Sequence, residues 1–158
     1  MSRILFATLA LATSLTMPMV VRANNDAPYI GTQTVKSAYG FAETVSRLER
    51  SIETNKLGLV ARASASAGAA ARGVQIPGNI VLMVFRNDYA VRVLAASVPA
   101  GIEAPIRIYV IEDADAKASV TYRTPSAVFA PYGNTQLDAM ARELDPIFDR
   151  IVHDAVER

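Results

Sequence analysis

Three carboxylates lie within four positions of the sequence, between two segments that alternate like β-strands. Glu112, Asp113 and Asp115 could bind a divalent cation or transfer protons. A calcium loop of the EF-hand type that begins at Asp113 needs an oxygen ligand, a glycine and a glutamate further on, and the sequence has lysine, alanine and threonine there. Since aspartate side chains also hydrogen-bond backbone amides in turns, we interpret this stretch as a polar hairpin turn, with a cation site as the alternative.

The chain has one histidine and no cysteine. His153 has Asp149 four positions before it and Glu157 four positions after it, so the three could share one helical face and bind a transition metal. One histidine without thiolates is a small ligand set, and we interpret these residues as a solvated helix surface. The sequence therefore predicts no metal site and no cofactor.

The serines do not have the spacing of a nucleophilic site. Ser64, Ser66 and Ser126 lie in no G-x-S-x-G elbow, and a catalytic triad would have to use His153. We interpret them as cap and turn residues.

A polar triplet, Arg86-Asn87-Asp88, follows an apolar strand and precedes a predicted helix. Free backbone amides at the start of a helix bind anions, so Arg86 and Asn87 are candidate ligand-binding residues. Asp88 can occupy the same amides, and the competing interpretation is a helix cap with a salt bridge to Arg86.

Arg107 and Tyr109, on a later strand, are the other candidate ligand-binding residues. A small hydrolase or isomerase would need them to converge with a carboxylate in one pocket, with at least one shifted pKa. The run of small residues from Ala63 to Gly73 predicts a short, tightly packed helix, and the close approach of a ligand or a second subunit is the alternative.

The first 23 residues have the order of a secretory leader. Arg3 precedes the apolar run Ile4–Leu15, Pro18 interrupts it, and small residues precede a cleavage point after Ala23. The apolar run is shorter than the roughly 20 residues that span a bilayer. We therefore expect a periplasmic or secreted protein without stable membrane insertion after cleavage, and a retained anchor is the alternative.

Charge and cysteine content exclude several classes of protein. The full chain has 16 basic and 15 acidic residues, and loss of the leader removes two arginines, which changes the net charge from +1 to −1. A nucleic-acid partner is not expected, because no basic cluster appears. The absence of cysteine excludes disulfides and thiolate metal sites.

Residues 24–29 are interpreted as a disordered lead-in, and residues 30–158 as one domain. Alternating or apolar runs predict strands at 30–37, 57–63, 80–85, 106–111 and 118–122. Helical periodicity predicts an amphipathic helix from Phe41, in which Glu43 pairs with Arg47, and a last helix capped by Thr135 and Asp138 that continues across Pro146. Shorter helices are predicted between them. The order predicts an α+β domain, an antiparallel or mixed sheet with helices mainly on one face.

Three segments together resemble the family named domain of unknown function 302. These are PIRIYVIED (105–113), VTYRTP (120–125) and FAETVSRLERSIETNKLGLVAR (41–62), and the likeness extends over about 33–155. The resemblance implies a TBP-like β-α-β4-α topology and a tendency to form homodimers, with no assigned activity. The sequence departs from the family pattern where ARASASAG lacks an Asp-His pair and where Arg86-Asn87-Asp88 replaces Gly-Asn-Pro.

The sequence thus predicts an exported, non-catalytic module that binds a small ligand or a partner. The two-sided apolar strand Ile80–Phe85 also predicts a homodimer in which this strand meets its copy. A small enzyme that uses carboxylate, arginine and tyrosine side chains is the alternative.

Overall fold

The computed structural model describes residues 29–158. The predicted leader and most of the predicted lead-in lie outside these residues. The strands are β1 (Thr32–Lys36), β2 (Gly58–Ala63), β3 (Asn79–Phe85), β4 (Ile106–Glu112) and β5 (Ala118–Arg123). The helices are α1 (Phe41–Thr54), α2 (Ala65–Ala70), α3 (Asn87–Ala96), α4 (Pro125–Phe129) and α5 (Thr135–Val156). Two 3-10 helices, Val98–Glu103 and Ala130–Tyr132, follow α3 and α4.

The five strands form one antiparallel sheet in the order β1-β5-β4-β3-β2. The hairpin of β4 and β5 lies in its centre, and β1 and β2 are its edges. A bulge between Leu59 and Ala61 interrupts the pairing of β2 with β3. This architecture confirms the predicted α+β domain and its antiparallel sheet.

The core lies between the sheet and the two long helices, α1 and α5. Strand β4 shows the pattern: Ile106, Ile108 and Val110 are buried, whereas Arg107 and Tyr109 between them are exposed. Successive strand side chains point to opposite faces, so the buried set faces the helices and the other set faces away. Among the described residues, no helix is long and apolar enough to cross a membrane.

Helix α5 runs unbroken past Pro146, as predicted. Its predicted cap is wrong: Asn134 is the N-cap residue, and its side chain accepts hydrogen bonds from the backbone amides of Gln136 and Leu137. Thr135 is already the first helical residue. Asparagine can satisfy two otherwise unbonded amides at a helix start, which gives it the capping role here.

Arg47 forms hydrogen bonds with the C-terminal end of α5. The predicted pair with Glu43 is absent from the described residues, where Glu43 instead contacts Arg50 at 3.5 Å. Arg47 Nε donates to the carbonyl of Ala155 at 2.8 Å, and its Nη2 donates to two further carbonyls at 3.0 Å. Its guanidinium also lies 4.2 Å from the ring centroid of Tyr39. The carbonyls that end a helix have no intrahelical partner, so Arg47 supplies the donors that α5 lacks.

Candidate functional site

An apolar cavity of about 30 Å³ lies at the end of the sheet where β3 finishes and β4 begins. Helices α3 and α5 cover it, and the phenylalanine that ends α4 forms part of its wall. Its main side chains are Val84, Phe85, Ile106, Phe129, Met140 and Phe148. Arg86, at the junction of β3 and α3, is the one charged residue among those that line the cavity. The cavity is therefore a hydrophobic space with a single cationic group.

Arg86 is held in place by its neighbours. Its Nε and Nη2 donate to the two carboxylate oxygens of Asp88 at 2.7 and 3.1 Å, and its guanidinium carbon lies 4.2 Å from the ring centroid of Tyr89. The hydrogen bond with Arg86 lowers the pKa of Asp88, and the same bond raises the pKa of Arg86. The guanidinium is thus charged and oriented, and Nη1 takes no part in the pair with Asp88.

The start of α3 differs from the predicted cap. The helix begins at Asn87 with Arg86 in the N-cap position, and no side chain caps it. Asp88 binds Arg86 instead, so the predicted salt bridge is present and the predicted cap by Asp88 is wrong. Asp88 binds Arg86 and does not cap α3, because its two carboxylate oxygens match the two parallel N–H donors of the planar guanidinium group.

The four candidate ligand-binding residues are not brought together. Arg86 lines the cavity, and Asn87 lies exposed beside it at the start of α3. Arg107 and Tyr109 are on the face of the sheet opposite α1 and α5, where Tyr109 is 40% exposed. The convergence with a carboxylate that the enzyme alternative requires does not occur at Arg107 and Tyr109.

The acidic stretch forms the turn of the β4–β5 hairpin. Asp115 accepts a hydrogen bond from the amide of Lys117, Asp113 accepts one from the hydroxyl of Ser119 at 2.6 Å, and Glu112 accepts one from the amide of Gly78. Each carboxylate therefore has its own partner within the protein. Between residues 29 and 158, no group of three or more histidine, aspartate and glutamate side chains is placed to hold a metal ion.

His153 lies half-exposed near the end of α5, between the two carboxylates that its spacing indicated. Its Nδ1 is 2.9 Å from Glu157 and its Nε2 is 3.4 Å from Asp149. The hydrogen bond with Glu157, followed by the charge of Asp149, raises the pKa of His153. The arrangement is a local charge cluster on the helix surface.

The serines have structural partners. Ser64 caps α2 and also donates to the carbonyl of Asn79, and Ser126 Oγ donates to the side chain of Thr124. Thr124 caps α4, and Pro125 is the first residue of that helix. In the part of the chain that the structure describes, none of these serines forms a hydrogen bond with His153.

Sequence reasoning found Arg86 but not the cavity beside it. Phe129, Met140, Leu144 and Phe148 appear in the sequence as ordinary buried positions of α4 and α5. What these residues share in the sequence is a large apolar side chain at helical spacing, and this pattern is typical of any hydrophobic core. The cavity forms because segments that are distant in the sequence pack around it. Residue spacing within any one segment does not predict that packing.

The site and fold define a class: a single α+β domain with a five-stranded antiparallel sheet, two long helices on one face and a small apolar cavity. The family model for domain of unknown function DUF302 matches residues 33–155, so the chain belongs to this family. Its fold is similar to the crystal structure of an uncharacterized conserved DUF302 protein from Bacillus stearothermophilus, with a TM-score of 0.71 and 19% sequence identity over 81% of this chain and 99% of that one. No curated protein matches the sequence.

Proposed function

We propose that this domain is a non-catalytic module that binds a small amphiphilic molecule, with the apolar part in the cavity and an anionic group at Arg86. The position of the Arg86 guanidinium beside an otherwise apolar cavity is the observation that supports this most strongly. Binding sites for small molecules typically combine apolar walls with a few polar groups that fix orientation. Asp88 and Tyr89 hold the guanidinium, so little side-chain entropy remains to be lost when an anion binds.

The size of the cavity limits the ligand. A volume of about 30 Å³ holds about two water molecules, so a bound chain must be short or must displace a side chain. Met140 lines the cavity and is unbranched, which allows it to adopt other rotamers and widen the space. A short acyl carboxylate combines an apolar chain with the negative charge that Arg86 would bind.

Hexanoate is a suitable probe, and calorimetric titration measures its affinity. We expect hexanoate to bind, and the Arg86→Gln variant to bind it about tenfold more weakly, because a hydrogen bond to a charged group contributes roughly 1.5–3 kcal/mol. Hexanol, which has the same chain without the charge, should bind wild type and variant equally.

Arg107→Gln is the matched control, since it removes the same group from the opposite face of the sheet and should leave the affinity for hexanoate unchanged. Equal losses in the two variants, or no heat of binding at millimolar hexanoate, would contradict the proposed site.

We also propose that the protein is exported and forms a homodimer. Export is supported by the leader-like order of residues 1–23. The dimer is supported by the face of the sheet opposite α1 and α5, where Val81 and Met83 are half-buried and the adjacent Tyr109 is 40% exposed. Partly exposed apolar side chains on this face can be buried against the same face of a second copy.

Native mass spectrometry of protein from the expressing cells tests both parts. We expect a chain that begins at Asn24 and a dimer of that chain, and the Tyr109→Glu variant should be monomeric because a buried unpaired charge is costly. A retained leader refutes export after cleavage, and a monomeric wild type at high concentration refutes the dimer.

A further inference from the structure

Helix α3 lies in a connection that forms no part of the sheet. Residues 86–105 leave the sheet at the end of β3 and return to it at the start of β4. These two strands are neighbours, and Val84 pairs with Ile106, so both ends of the connection lie close together at one end of the sheet. The connection can therefore move while the strand pairing of the sheet stays intact.

This connection forms one wall of the cavity, through Arg86, Tyr89, Ala90 and Val93. The cavity volume of about 30 Å³ is far below the roughly 300–1,000 Å³ of sites that enclose a small ligand. A ligand of the proposed kind therefore needs a wall that moves. The strands on the other side of the cavity are held by their pairing in the sheet.

Helix α3 is attached to the fold by little apolar packing. Six of its ten residues are exposed and only Val93 is buried, whereas nine residues of α5 are buried. Val91 and Leu94, the other large aliphatic residues of α3, are 58% and 50% exposed. Elements with few buried apolar contacts open locally at a lower free-energy cost than the rest of a fold. Among the helices that cover the cavity, α3 is thus the one that can open.

Two polar contacts among the described residues attach α3 to elements outside the connection. Arg92 Nη1 and Nη2 donate to the two carboxylate oxygens of Glu143 in α5, at 2.7 and 2.8 Å. Asn134, the N-cap residue of α5, donates from Nδ2 to the carbonyl of Ala96 at 3.0 Å. The bidentate, charged pair is stronger than the single neutral bond, so Arg92 and Glu143 form the main polar attachment between α3 and α5.

We propose that the connection 86–105 is a lid over the cavity, which opens as α3 moves away from α5 and which the Arg92–Glu143 pair holds closed. The lid admits the amphiphilic ligand, so its purpose rests on the proposed function. Lids of this kind commonly control the entry and release of small molecules. Both side chains of the pair are about half-exposed, at 46% and 49%, so water can replace their contact when the lid opens, and salt weakens it.

An introduced thiol measures the opening directly, because the chain has no cysteine. Val93→Cys places the thiol under the lid, where Val93 lines the cavity and is 2% exposed. Val120→Cys is the control for global unfolding, since Val120 is fully buried in β5 and does not line the cavity. We expect a water-soluble disulfide reagent to modify Val93→Cys at least tenfold faster than Val120→Cys, because the lid opens without unfolding of the sheet.

Glu143→Gln, made in the Val93→Cys chain, tests the pair that holds the lid. It should raise the rate of thiol modification at least threefold, because it removes the charge that binds Arg92. Glu49→Gln is the matched control: it breaks the pair of Glu49 with Arg62 at 2.7 Å, between α1 and β2, and should leave the rate unchanged. High salt should also raise the rate in the Val93→Cys chain, which tests the pair without a second substitution.

Equal modification rates in Val93→Cys and Val120→Cys would overturn the lid, since the cavity would then open only when the whole domain unfolds. Equal effects of Glu143→Gln and Glu49→Gln would overturn the role of the Arg92–Glu143 pair. If Glu143→Gln does not fold, an unchanged rate in high salt overturns it instead. If Val93→Cys does not fold, Ala90→Cys replaces it, because Ala90 also lines the cavity.

Hexanoate separates the lid from the proposed function. Saturating hexanoate should slow the modification of Val93→Cys at least tenfold, because the bound ligand fills the space beside the thiol. A fast reaction that depends on Glu143 but is not slowed by hexanoate would contradict the proposed ligand and support the lid. A slow reaction that is independent of Glu143, with hexanoate binding retained in calorimetry, would overturn the lid and leave the proposed function standing.

Discussion

Replacing Phe148 with alanine is expected to lower the free energy of unfolding by about 3–5 kcal/mol, the range for loss of a large core aromatic side chain. Phe148 is 1% exposed and its ring packs against Tyr122, with 6.4 Å between the ring centroids. Removal of the ring enlarges the existing cavity, because Phe148 forms part of its wall. It also removes the van der Waals contacts that the ring makes with Tyr122. Urea denaturation followed by circular dichroism measures the change.

The control for Phe148 is a residue of similar chemistry on the surface. Val91 in α3 is 58% exposed, and its replacement by alanine should change stability by no more than about 0.5 kcal/mol. A Phe148→Ala variant as stable as wild type would show that α5 does not bury this ring against the sheet, and the described core would be wrong.

The Arg47→Ala variant is expected to lose about 2 kcal/mol of stability, because three carbonyls at the end of α5 lose a charged hydrogen-bond donor together. Arg47→Lys should recover only part of the loss, since an ammonium cannot reproduce the planar fork of the guanidinium. The same denaturation measurement applies.

Arg50→Ala is the matched control for Arg47. It removes the same type of side chain from the next turn of α1, where the guanidinium makes one exposed contact with Glu43 at 3.5 Å. Exposed ion pairs contribute little, so this variant should be close to wild type in stability. Similar losses in the two arginine variants would contradict the role given to Arg47.

Alternation and helical periodicity were sufficient to predict the elements of the fold. The runs at 106–111 and 118–122 predicted the central hairpin, and the apolar stripe of α5 predicted one helix through Pro146. These signals are local, since each depends on the period of one segment. They also predicted that the acidic stretch between the two strands is a turn.

Asp88 and Arg47 did not follow prediction because each had a competing partner. Asp88 could cap α3 or bind Arg86, and Arg47 could pair within α1 or reach the end of α5 more than one hundred positions away. Local spacing favours the near partner, and only the packed fold shows which distant carbonyls Arg47 reaches. The cavity also depends on tertiary packing and not on local spacing, because it lies where β3, β4, α3 and α5 meet.

The most direct test of the cavity as a ligand site is a titration of the domain with hexanoate followed by two-dimensional NMR of the methyl groups. We predict that the methyl resonances of Met140, Val84 and Ile106 shift together and that Arg86→Gln weakens the response. Shifts confined to exposed methyl groups, or none at all, would contradict the account.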